Sequence, residues 1–168
     1  MAPHSFDRYC FESLARQGRE DAAAGAPERA SGRFARALAL WRGPVLADVR
    51  PGPLSSTHLV ELEEIRKSVL ERRVEADLQL GRHRELLDEL GTLVSLHPLH
   101  ENIHAQYMLA LYRSGEPARA LDVYCRLSRM LDETLGIAPA PRLRRLYDAV
   151  QDNDPALDAP TAFLTRTA

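Results

Sequence analysis

The chain has 168 residues, 45% hydrophobic and 27% charged, a balance typical of a globular domain long enough to bury one core. Its net charge of −2 excludes the basic footprint of an autonomous nucleic-acid binder. Apolar runs of only a few residues exclude a membrane-spanning helix. The opening Met1-Ala-Pro-His-Ser-Phe-Asp-Arg lacks the basic-then-apolar order of a signal peptide, so the cytoplasm is the expected location.

Helical periodicity runs through the chain in order. Phe6, Cys10 and Leu14 recur every four residues, with Gly18 as the expected stop. Pro27 suits the first turn of a second helix, in which Ala30, Phe34, Ala37 and Trp41 form one stripe. Trp41 is the expected anchor between this first pair and the long helix that follows. The stretch Arg42–Pro53 holds three prolines and two glycines and reads as a loop. A long helix is expected from Ser56 to Leu80, burying Leu59, Leu62, Ile65, Val69, Ala76 and Leu80; it would span roughly 37 Å. Gly81 ends it. Leu86, Leu90 and Leu93 mark the next helix, closed by His97-Pro98. Ile103, Tyr107 and Ala110 mark another, closed by Gly115. Pro117 opens a helix carrying Ala120, Tyr124, Leu127 and Leu131, for which Gly136 is a suitable cap. Pro139 and Pro141 lead into a last helix with Leu143, Leu146, Tyr147 and Val150. Residues 1–152 read as a single all-α domain, and 153–168 as a flexible tail.

Cys10 and Cys125 fall among apolar helical positions and read as small buried core residues. Gly81 and Gly115 lie 34 residues apart, the tetratricopeptide period. Placing each at the turn inside a helix pair aligns Leu86, Leu90, Leu93 and Pro98 with Ala120, Tyr124, Leu127 and Asp132. Gly25 supports a third unit, with Ala30, Phe34 and Ala37 in register and Gly18 at the repeat's earlier glycine. The expected fold is therefore an all-α set of tetratricopeptide-like helical hairpins (an α-α superhelix) with irregular spacing.

A further series of segments goes beyond the repeat. Leu40-Trp-Arg-Gly-Pro-Val-Leu-Ala-Asp48 precedes Glu61-Leu-Glu-Glu-Ile-Arg66 and Glu75-Ala-Asp-Leu-Gln-Leu-Gly-Arg-His83. His97-Pro-Leu-His-Glu101, Met108-Leu-Ala-Leu-Tyr-Arg-Ser-Gly115, Ala120-Leu121 and Leu135-Gly-Ile-Ala-Pro139 follow. From about Asp7 to Leu157 the chain resembles the bacterial transcriptional activator domain of the actinobacterial antibiotic regulatory (SARP) family. The resemblance implies a helical module that supports dimerisation and contacts the transcription machinery. The expected partners are proteins: RNA polymerase, a DNA-binding regulator, or a second copy of the chain. The likeness starts at the first residues, so no counterpart of the family's winged-helix DNA reader is expected; a free-standing version is the favoured expectation over an excised domain. No direct nucleic-acid contact and no membrane contact are expected.

The side chains suggest no catalytic group, cofactor or metal site. His97, His100 and His104 are close in sequence, and His100 and His104 share a helix face. A neighbouring cysteine is lacking and Glu101 is the one nearby carboxylate, so capping is favoured over metal binding. Glu61, Glu63, Glu64, Glu71 and Glu75 interleave with Arg66, Arg72 and Arg73 as ordinary helix-surface pairs. The Arg142–Arg145 run reads as a solvated helix face. The first helix of each pair lines the groove of a tetratricopeptide array, which assigns Glu71, Glu75, Gln79, Asn102, Leu109, Tyr112 and Arg113 to a partner or ligand groove. A mixed polar groove with an arginine suits a peptide terminus or acidic ligand. The alternative is a small-molecule-binding or catalytic protein of a specialised biosynthetic pathway, with a pocket using Glu71, Tyr112 or Arg113.

Overall fold

A computed structural model of the chain describes residues 8–41 and 53–160, with side chains from Val60 onward in the second stretch. The described residues form seven α-helices and one 3-10 turn: α1 (Arg8–Ala23), α2 (Pro27–Ala39), α3 (Pro53–Gln79), α4 (Leu87–Leu96), α5 (Glu101–Arg113), α6 (Pro117–Leu135), α7 (Pro141–Gln151) and the turn Pro155–Asp158. Of the expected loop Arg42–Pro53, residues 42–52 lie outside the described residues, as do Phe6 and the side chain of Leu59, while Pro53 begins α3. The chain divides into two compact units, Met1–Ala76 and Asp77–Ala168.

One local device recurs at the hairpin turns. Gly25, Gly81 and Gly115 have φ of +71°, +79° and +85°, the left-handed region that side chains resist. In each case the residue after the glycine donates to a carbonyl five positions back: Ala26 to Asp21, Arg82 to Asp77, Glu116 to Leu111. That bond satisfies an orphan carbonyl at the helix end. Pro27 and Pro117 then start the following helices at positions where a missing N–H is harmless.

In the first unit α1 and α2 pack together around Phe11, Ala15, Ala30, Phe34, Ala37 and Trp41, joined by Leu62, Val69 and Ala76 of α3. The Trp41 ring meets Phe11 at 5.6 Å between centroids, tilted 56°, and the Arg66 guanidinium lies 5.6 Å from its centroid. The face that α1 buries is one residue off the sequence expectation: Phe11, Ala15 and Gly18 are buried, Leu14 is half-buried and Cys10 is exposed. Gly18 does not stop the helix. α1 continues to Ala23, and Gly18 is where the Phe34 ring comes closest: an added Cβ would lie 2.6 Å from Phe34 Cε1. Asp21 pairs with Arg33 and, at 3.4 Å, with Arg29, tying the two helices on their outer side.

In the second unit α5 is the central element, packed against α4, α6 and α7. Ile103 to Leu111 are all buried. α6 buries Ala120, Val123, Leu127 and Leu131 and ends at Gly136, φ +66°. Tyr124 of α6 meets Tyr147 of α7 with centroids 4.3 Å apart. Cys125, expected in the core, is exposed, because that stripe of α6 turns inward through Val123 and Leu127 instead. The Glu101 carboxylate accepts from Ala140 N at 2.7 Å, which fixes the start of α7 against the start of α5. After α7 the chain turns at Asn153, φ +50°, and the turn Pro155–Asp158 buries Leu157 completely.

Candidate functional site

The residues assigned to a groove separate into different environments. Glu71 and Glu75 are half-buried on α3 within the first unit, whereas Gln79, Asn102, Leu109, Tyr112 and Arg113 belong to the second. Leu109 is fully buried. Helices on several sides cover α5, so it has no free face at that position. Gln79, Asn102, Tyr112 and Arg113 are half-buried.

Arg113 is the best-defined polar centre. Its Nε donates to the Leu157 carbonyl at 2.7 Å, Nη1 to the Leu78 carbonyl at 3.3 Å and Nη2 to the Ala159 carbonyl. One guanidinium thus joins the end of α3, the end of α5 and the terminal turn. Its planar fork of donors suits several acceptors at once. Burial pushes the Arg113 pKa down, and nearby Asp158 acts in the opposite sense. His83, just past the Gly81 turn, lies in the same field. Its pKa is lowered first by burial and then by the charge of Arg113, with Asp158 raising it. The buried Nδ1 of His83 has no hydrogen-bond partner among the described residues. Asp77, itself buried, pairs with Arg82 at 2.9 Å across the same turn. Sequence spacing offered no route to this centre, since Arg113 reaches acceptors 44 and 46 positions away.

The histidine cluster serves the start of α5. His100 is its N-cap, with Nδ1 accepting from Ile103 N at 3.5 Å. His104 is buried, and its Nδ1 bonds the His100 carbonyl at 3.0 Å, so that nitrogen carries the proton. Burial lowers the His104 pKa, partly offset by the bond to His100. His97 meets His100 ring to ring at 6.5 Å.

Grooves open to solvent mark the described surface. One of about 560 Å³ runs along α1 beside Tyr9, Phe11, Glu12, Arg16, Arg19 and Ile65. One of about 360 Å³ lies among Gly91, Val94, Pro98, His104, Tyr107 and Arg126. A third, about 440 Å³, flanks Cys125 and Ile137. Of the groups with shifted pKa, His104 and Arg113 hold backbone carbonyls, and Arg8 and Arg119 sit in surface ion pairs.

These features define a class of protein: an all-α, tetratricopeptide-like module built from helical hairpins. The chain belongs to the bacterial transcriptional activator domain family, whose model matches residues 6–151. It is similar to the regulatory protein DnrI of Streptomyces peucetius, 45% identical over 156 residues, covering 93% of this chain and 57% of DnrI. It is also similar to the regulatory protein AfsR of Streptomyces coelicolor, 40% identical over 168 residues, covering 100% of this chain and 17% of AfsR. Among solved structures it resembles Mycobacterium tuberculosis EmbR in complex with a low-affinity phosphopeptide, with TM-score 0.85 and 32% identity over 90% of this chain and 41% of that one. The chain therefore spans little more than half of DnrI and smaller fractions of the other two. No helix among the described residues is long and apolar enough to cross a membrane.

Proposed function

We propose that this chain is a non-catalytic protein-interaction module of a transcription regulator. The observation that carries the reading is the unbroken family match over residues 6–151, with relatives named as regulatory proteins. The side chains add support. The buried or perturbed groups Asp77, His104 and Arg113 bond helix ends and turns, which leaves none of those groups poised as an acid or base beside a substrate. The partners are proteins: RNA polymerase, a DNA-binding regulator, or a second copy of the chain. The module works in the cytoplasm without touching DNA itself.

Affinity co-purification from the native host, with mass spectrometry of bound proteins and small molecules, tests this. Recovery of polymerase subunits or a DNA-binding regulator, reproduced with purified components, is the expected result. Recovery of only a metabolite or biosynthetic enzymes would overturn it in favour of a pathway protein on the same scaffold.

A further inference from the structure

The strap formed by residues 154–159 differs from the helices beside it. It contributes one buried side chain, Leu157, while Pro155, Ala156, Asp158 and Ala159 are exposed. Its other anchors are main chain: Asp154 N donates to the Ala149 carbonyl of α7 at 2.9 Å, and Arg113 holds the carbonyls of Leu157 and Ala159. An arginine that grips carbonyls is indifferent to the side chains next to them. A different segment with a leucine in the same turn satisfies it equally.

The strap also leaves polar capacity unused. The Nδ1 of His83, in the field of both Arg113 and Asp158, is buried without a hydrogen-bond partner among the described residues. An occupant that supplied one would be favoured over the strap. Two residues, Asp152 and the left-handed Asn153, connect it to α7. α7 holds itself to the unit through Leu143, Leu146, Ala149 and Val150, so its packing does not depend on the strap staying in place.

We propose that the notch bounded by Leu78, His83 and Arg113 is a peptide-docking site, and that residues 154–159 are its resident occupant. A partner protein displaces them with a leucine-centred turn of the same Asp-Pro-x-Leu-Asp type. This rests on the interaction-module reading and gives that reading a location. The strap lowers the apparent affinity for the partner by the fraction of time it is seated.

The test uses the full chain, wild type and Leu157→Ala, titrated with a fluorescein-labelled peptide of residues 152–162 and followed by anisotropy. Leu157→Ala weakens the resident segment, so the peptide binds that variant about tenfold more tightly than wild type. Adding Arg113→Gln to Leu157→Ala abolishes the gain, and a peptide with alanine in place of its leucine does not bind. If Leu157→Ala keeps its helical circular dichroism but binds no better than wild type, or binds both peptides alike, the proposal is wrong. Should the variant not fold, hydrogen exchange on the wild type decides. Strap amides of Leu157 and Ala159 exchanging at least about tenfold faster than α5 amides support a displaceable segment; equal rates refute it. Co-purification reads out separately: polymerase recovered without peptide binding places the partner elsewhere on the module, and peptide binding without polymerase leaves the site but removes the transcription reading.

Discussion

Replacing Gly18 by alanine puts a methyl group into a ring. The new Cβ would stand 2.6, 2.8 and 2.9 Å from three carbons of Phe34, far inside van der Waals contact. Phe34 is fully buried among Phe11, Ala15, Ala37 and Trp41, so its ring can yield only by pushing on the rest of the cluster. Overpacking of this kind costs about 1–3 kcal/mol. Alanine recovers about 1 kcal/mol of helix propensity over glycine. The net expectation is a loss of about 0–2 kcal/mol, or a fall of up to about 8 °C in melting temperature for a chain of this size. Gly32 is the matched control: it is exposed within α2 and an added Cβ meets nothing within 4 Å. Gly32→Ala should therefore stabilise by about 0.5–1 kcal/mol. Urea unfolding followed by far-ultraviolet circular dichroism measures both. Combining Gly18→Ala with Phe34→Leu should return part of the loss, a coupling that a double-mutant cycle isolates. If Gly18→Ala is as stable as Gly32→Ala, the close approach of α1 and α2 at this point is not what the structure indicates.

Three other outcomes follow from particular residues. Gly115→Ala, at φ +85° with open space around it, should destabilise by about 1–2 kcal/mol from backbone strain alone, and an unchanged urea midpoint would contradict the left-handed turn. His83 and His104 both titrate lower in the folded protein, so the unfolded chain binds protons first. Their contribution to stability is complete above the ordinary histidine value of about 6.5 and is lost as pH falls below it; urea midpoints should drop between pH 7.5 and 5.5, with a shallower slope in His104→Gln, and a rise on acidification would refute the assignment. Cys10 and Cys125 are exposed, so both should react with a chromogenic thiol reagent without denaturant, whereas reaction only on unfolding would return them to the core.

Where the sequence revealed the fold, it did so through residues whose constraint is local. Gly25, Gly81 and Gly115 are turn residues for a reason contained in their own φ angles and a bond five positions long. The same letter misled at Gly18, because a glycine that admits a neighbouring ring and one that ends a helix look alike until Phe34 is known to face it. Cys10 and Leu109 went astray for related reasons. The adjacent apolar pairs Cys10-Phe11 and Leu14-Ala15 of α1 allow its stripe to be set one residue off, and α5, covered on several sides, has no polar face from which to infer a groove. The Arg113 centre was partly visible: the arginine stood out as a polar group on a first helix. Its acceptors were not, since backbone carbonyls belong to every residue and leave no trace in the alphabet.

The packing of Trp41 on Phe11 has an optical consequence. The chain has one tryptophan and five tyrosines; the tryptophan lies in the first unit, while Tyr107, Tyr112, Tyr124 and Tyr147 lie in the second. Indole emission excited at the red edge therefore reports melting of residues up to Ala76, and the phenolic near-ultraviolet dichroism of the Tyr124–Tyr147 pair reports the remainder. The protein carries its own two-colour readout, and superimposable or separated transitions would show, without any label, whether its halves unfold as one cooperative body.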